Sequence, residues 1–132
     1  MALRTYLPPV IFVQSIPANS RRVFVSNLIT RPFFLETVRM AFALNCQRYL
    51  RVTPWVVDVD AVANDTRPTG INLFSTWGGQ DYVVGSGDEG GLIIPIGRRF
   101  ETGRIAFEAY NTDAVNVHTL DVRADLIDVT VV

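Results

Sequence analysis

The sequence predicts an all-β fold: an antiparallel β-sandwich, jelly-roll-like, of eight to ten short strands with an extended N-terminal arm. Three observations predict it. Apolar and polar residues alternate with period two through much of the chain, the pattern of strands buried on one face. Turn clusters of Gly, Pro, Asn and Asp recur roughly every 8–12 residues. The 132 residues leave room for one domain and one core, with no internal repeat and no linker.

Residues 1–20 are expected as an extended arm and residues 21–132 as a single sandwich domain. The arm has two extendable pieces, 2–7 and 10–14. They are separated by Pro8-Pro9, neither of which can donate to a ladder. Residues 17–20 make a turn. Residues 21–28 alternate as a strand, with Val23 and Val25 on one side, and Thr30-Arg31-Pro32 ends it. Residues 33–44 read as a strand with Phe34, Val38, Met40, Phe42 and Leu44 on one face, interrupted by Glu36. A helix with Leu35, Val38, Phe42 and Tyr49 as its stripe and Thr30 as its cap is the weaker reading, because its neighbours are all strands. Short strands at 48–53 and 55–60 flank Pro54. A loop follows at 61–70, then strands at 71–77 and 81–84, a glycine-rich tip at 85–91, and a strand at 92–96. Residues 97–103 lead into a closing hairpin.

In that hairpin Ile105, Phe107 and Ala109 oppose Arg104, Glu108 and Tyr110. Farther on, Leu120, Val122, Ala124 and Leu126 oppose Asp121, Arg123 and Asp125, so the last strand has to be central in a sheet. The apolar phase then slips by one to Ile127, Val129 and Val131, which predicts a bulge near Leu126 and Ile127. An immunoglobulin-like sandwich is the nearest competing architecture.

Composition narrows the function. Hydrophobic residues make up 48% of the chain, and mean hydropathy is +0.22. That is apolar for a soluble β-domain. Either the core is well filled, or some outer surface is buried in an oligomer or against a larger body. Net charge is −1, and all twelve cationic residues are arginines, scattered along the chain. Arg21-Arg22 and Arg98-Arg99 are pairs rather than a basic face, which weighs against nucleic acid as a partner. Cys46 is the single cysteine, so no intramolecular disulfide forms and a thiolate metal site is disfavoured. No apolar run approaches the ~20 residues that span a bilayer. The apolar run near the N-terminus is short and broken by Pro8-Pro9, a poor signal peptide. The expected location is the cytoplasm, or an assembly built there.

Motifs of chemistry are weak. Residues 85–90 satisfy GxGxxG, but they lead into the extended run Leu92-Ile93-Ile94-Pro95 rather than into a helix that would hold a pyrophosphate. Asp58, Asp60 and Asp65 are the best fragment of a calcium loop, without EF-hand spacing, and are expected as solvated carboxylates. No metal and no cofactor is expected. His118 is the only histidine and is expected to bond a turn carbonyl. Ser86 and Cys46 lack a nucleophile context, and so short a chain offers little cleft, so no enzymatic activity is expected. Of the aromatic residues Trp55, Trp77, Tyr82 and Tyr110, Trp77 and Tyr82 are the candidates for a sugar-stacking platform.

The run Tyr110-Asn111-Thr112-Asp113, followed by His118-Thr119-Leu120-Asp121-Val122, resembles the closing hairpin of small jelly-roll structural proteins of tailed bacteriophages. Gly70-Ile71-Asn72-Leu73 fits the same likeness. Such proteins decorate capsids or form minor spike components. The resemblance implies a non-enzymatic virion structural protein that attaches to and stabilises a capsid as a homo-oligomer, with a trimer favoured. Its partners would be itself and a capsid protein, and its location the virion, assembled in the host cytoplasm. Independently of the resemblance, the residues expected at the partner contact are Arg4, Tyr6, Leu7 and Ile11 of the arm, plus Arg98 and Arg99 at a loop. Deleting residues 1–14 is expected to abolish attachment and leave the sandwich folded. Two other readings compete: a carbohydrate-binding or host-adhesion module built on Trp77 and Tyr82, and a single jelly-roll capsid shell protein.

Overall fold

The computed structural model describes residues 5–43, 46–58, 61, 67–74, 81–85 and 91–129. Among them are eight strands: β1 (Val10–Ile16), β2 (Arg21–Val25), β3 (Phe33–Phe42), β4 (Leu50–Val57), β5 (Gly70–Asn72), β6 (Leu92–Phe100), β7 (Arg104–Asn111) and β8 (His118–Asp128). None of the described residues is helical, so the strand reading of 33–44 holds. The strands form two four-stranded sheets, β1-β8-β3-β6 and β2-β7-β4-β5, antiparallel throughout.

One rule generates both sheets. β1 pairs with β8, β2 with β7, β3 with β6 and β4 with β5. The chain is one long hairpin doubled back at the β4–β5 connection. It is then rolled so that β3 also meets β8 and β4 also meets β7. That roll is the jelly roll. It corrects one expectation: β7 and β8 are not a hairpin, because the roll places them in different sheets. β8 is interior, between β1 and β3, as its length demands.

The two inner faces close on one core. Phe33, Leu35, Val38, Met40, Leu120, Val122, Ala124 and Leu126 come from one sheet; Leu50, Val52, Val56, Ile105, Phe107 and Ala109 come from the other. Phe12 stands edge-on to Phe107 with ring centroids 6.1 Å apart, linking the edge strand β1 to the facing sheet.

The bulge is present at the expected level but on the neighbouring strand. Leu35 faces Leu126 and Thr37 faces Asp125, so Glu36 is the extra residue, on β3. β8 keeps one phase through Leu126, and the inward phase of β3 changes instead, from Phe33 and Leu35 to Val38, Met40 and Phe42. Phe34 is therefore on the outer side, across from Ile127.

Pro54 does not split a strand; β4 runs straight through it. Val52 exchanges both backbone bonds with Val83, and the carbonyl of Pro54 accepts from the Leu73 amide at 3.1 Å. Alternate residues point the same way. The missing N–H of Pro54 therefore points away from β7, and the β4–β7 ladder loses no bond. The strand expected at 71–77 is described only as Gly70–Asn72, with a turn after it, and 81–84 reduces to the Val52–Val83 bridge. Gly70 sits at φ 144°, and a Cβ there would stand 2.5 Å from the Val56 carbonyl oxygen, so this close crossing requires glycine.

Residues 5–9 run along the end of β8. The Leu7 amide donates to the Leu126 carbonyl (3.0 Å), and the Asp128 amide donates to the Thr5 carbonyl (2.7 Å). Residues 10–16 of the expected arm are strand β1 itself, with Val10 opposite Ala124. Deleting 1–14 would therefore strip most of β1, including Phe12, from the sheet. The truncation expected to spare the sandwich would damage it.

Candidate interaction face

The outer face of the β1-β8-β3-β6 sheet is organised by its register. Ile11 lies opposite Arg123, Arg123 opposite Arg39, and Arg39 opposite Ile93, one straight row across four strands. The ends of the row are apolar and exposed: Ile11 at 52% and Ile93 at 63%, with Val13 beside Ile11 at 60%. The centre is charged. Shallow hollows of about 270 and 250 Å³ lie on the two sides of the Arg39–Arg123 pair, the second edged by Tyr6 and Glu36.

Two arginines directly opposite on neighbouring strands repel. Asp125 resolves the clash. Arg39 Nε reaches its Oδ2 at 3.0 Å, Arg123 Nε its Oδ1 at 2.8 Å, and the Thr37 hydroxyl donates to Oδ2 at 2.8 Å. Burial pushes the Asp125 carboxyl up, but these hydrogen bonds and the arginine charges outweigh it and hold the group below the usual carboxylate value. The Glu36 bulge carries its carboxylate to the arm, where the Tyr6 hydroxyl donates to Oε1 at 3.2 Å.

The expected contact residues fall into two groups. Tyr6 is exposed, Leu7 is half-buried against the core, and Ile11 is exposed on β1; these three share one edge of the sheet. Arg98 and Arg99 lie in β6, in a strand rather than a loop, on the opposite edge. Three strand spacings, about 14 Å, separate the two edges. Consecutive strand residues also face opposite ways. Arg98 lies over the Phe100 ring at 5.2 Å, while Arg99 pairs with Glu101 at 3.3 Å. The fold does not bring the two groups together. Arg4 lies outside the described residues.

Val13, Ile93, Arg39, Arg123 and Asp125 were not legible as a set. Val13 had a signal, sharing the face of Ile11 two residues on. The arginine pair had none, because only the β3–β8 register places Arg39 against Arg123.

The outer face of the other sheet carries a second cluster. Tyr110 has Arg21 and Arg51 directly across from it on the two neighbouring strands, and Glu108 lies between Val23 and Thr53. Glu108 is buried. Its Oε1 accepts from Trp55 Nε1 at 3.2 Å and meets Arg67 Nε at 3.4 Å, and its Oε2 meets Arg21 Nε at 3.1 Å as an ion pair off the hydrogen-bond line. Arg67 also donates to Asp81 at 2.5 Å. Three guanidinium groups lie on three rings: Arg21 on Tyr110, Arg51 on Tyr82 and Arg67 on Trp55. The remaining cleft is about 160 Å³. Tyr82, one half of the expected sugar platform, is half-buried with a guanidinium on its ring; Trp77, the other half, lies outside the described residues.

His118 bonds a carboxylate rather than a turn carbonyl. Its Nε2 is 2.9 Å from Asp113 Oδ2, with Tyr49 stacked on the ring at 5.6 Å. Asp113 Oδ1 accepts from the Val115 amide at 2.9 Å and the Asn116 amide at 3.2 Å. The Val115 amide first and His118 second hold the Asp113 carboxyl down at about 2. This network closes the turn between β7 and β8. Of the suggested calcium fragment, Asp58 is exposed and Asp60 and Asp65 lie outside the described residues. Among the described residues no three His, Cys, Asp or Glu side chains converge.

No protein-family model matches the chain, and no curated protein matches it. The resemblance to bacteriophage decoration proteins therefore has no sequence-level support. Among solved structures, the chain is similar to one from the structure of infectious bursal disease virus Gx strain. The TM-score is 0.40 and the identity 8%, covering 93% of this chain and 33% of that one. The chain thus spans about a third of that molecule's length.

Proposed function

We propose that this protein is a non-enzymatic structural component of a virion that self-associates and attaches to a capsid surface. The jelly-roll strand order is shared by viral capsid proteins, lectins and cupins. What favours the first of these is the exposed apolar run on the arm and edge strand, from Tyr6 through Ile11 to Val13, beside the Arg39–Arg123 pair. A surface of that kind loses little on desolvation and gains by burial, at ~25 cal/mol per Å² before association costs. The lectin reading is weakened because the described aromatic rings of the second cluster already carry arginines. A histidine-rich metal centre, the hallmark of cupin chemistry, has no material here: the one histidine is engaged by Asp113.

The test is immunogold labelling of virus particles purified from the source of the chain. Regular labelling of intact particles supports a surface structural role. Label confined to free protein ends the reading. If the purified protein alone forms closed shells in negative-stain images, it is a shell protein rather than a decorating one.

A further inference from the structure

We propose that β1 is the self-association edge. Two copies pair β1 against β1, antiparallel about a two-fold axis, and join their β1-β8-β3-β6 sheets into one continuous sheet. The inference rests on the self-association part of the reading above.

Among the described residues the two sheets end in four edge strands, β1 and β6 in one and β2 and β5 in the other. A free sheet edge is a template for another strand, and proteins blunt such edges with charge, proline, shortness or a bulge. Three of the four edges here are blunted. β2 opens with Arg21-Arg22, β5 is three residues long, and β6 carries Pro95, Gly97, Arg98 and Arg99. β1 has none of these devices. Its sequence, VIFVQSI, holds no charge, no proline and no glycine over seven residues. Its outward-facing Ile11 and Val13 are more than half exposed. Pro8-Pro9 and Pro17 bound it on both sides, so an incoming strand has one stretch to pair with and little room to slip.

A second copy of β1 suits that edge. An isologous contact is self-complementary, so the residue at the centre meets itself. Centred on Val13, the pairing sets Val13 against Val13, Ile11 against Ser15 and Phe12 against Gln14. No like charges meet, and the outer face gains β-branched cross-strand neighbours. The same register carries Pro17 and Ala18 of the second copy toward Pro8-Pro9. Those two prolines form the lip of a groove of about 540 Å³, lined by Leu7, Val10, Phe12, Val25, Leu28 and Ile29. Arg31, at the rim, is already paired with Asp128 at 2.7 Å.

The experiment is native mass by light scattering on the full chain over a concentration series. The expected result is a monomer–dimer equilibrium. Val13→Lys and Val13→Glu each place like charges against themselves across the axis, and each should weaken the dimer by roughly a hundredfold. Both should leave the far-UV circular dichroism unchanged, since Val13 is exposed. Mixed in equal amounts, the two variants should re-form a one-to-one dimer. As a measurement on the unaltered chain, the β1 amides should exchange hydrogen more slowly at dimer-forming concentration. A trimer, a monomer at every concentration, or a Val13→Lys protein that dimerises like the parent overturns the inference. A β1 dimer absent from virus particles keeps this inference and removes the virion reading; a β1-independent oligomer present on particles does the reverse.

Discussion

At the scale of single residues, charged groups are placed by polar contacts rather than by exposure. Asp113, Asp125 and Glu108 are all buried, and each has its oxygens met by hydrogen-bond donors or by an arginine charge. A buried carboxylate without such partners would protonate or destabilise the fold. Asp113 makes the consequence measurable. Its folded value, about 2, lies below the ordinary 3.8. The stability it contributes is therefore complete above 3.8 and is lost as the pH falls through about 2. Asp113→Asn keeps an oxygen for the Val115 and Asn116 amides but removes the charge. The gap in melting temperature between parent and variant should be widest above pH 5 and should close toward pH 2. A gap that stays constant across this range would show that the charge contributes nothing.

At the scale of elements, the bulge on β3 decides which side chains reach the core. Glu36 is the extra residue, and Leu35 and Val38 on its two sides both face inward. Deleting Glu36 leaves both facing inward, whereas deleting Arg39 turns Met40 and Phe42 outward, since a one-residue slip exchanges the faces of a strand. Exposing two such side chains costs about 1.5–3 kcal/mol each, against a domain stability of about 5–15 kcal/mol. The Glu36 deletion should unfold cooperatively in urea with a modestly lowered midpoint, and the Arg39 deletion should lose most of its stability. Equal midpoints for the two would mean that the register is not set at this bulge. The sequence carried a trace of the feature, since the apolar phase slips at Ile127. The slip is visible on β8, but the extra residue sits on β3, and no single-strand pattern says which partner carries it.

At the scale of the molecule, the roll pairs strands that are far apart in sequence. Val10 meets Ala124, and Arg21 meets Tyr110. Such pairing must close long loops before any contact stabilises it, so the chain should refold on the millisecond-to-second scale. Stopped-flow tryptophan fluorescence checks this; a microsecond refolding phase carrying the full amplitude would contradict it. The same roll puts β1, the first strand, beside the interior strand β8, with no strand paired to its other side among the described residues. The proposed two-fold edge is thus a consequence of topology together with the uncharged sequence of β1.

Local alternation was enough to read most of the strands and the inward faces of β7 and β8, because period two is a property of one strand and the solvent on one side of it. It also placed Tyr6, Leu7 and Ile11 on an extended stretch near the N-terminus. It was silent on partners. That β7 and β8 part into different sheets, that Arg39 faces Arg123 over Asp125, and that Arg98 and Arg99 end on the far edge from Ile11 all follow from register between distant strands. Register is settled by packing two faces into one core, and a linear pattern holds no information about the strand across from it.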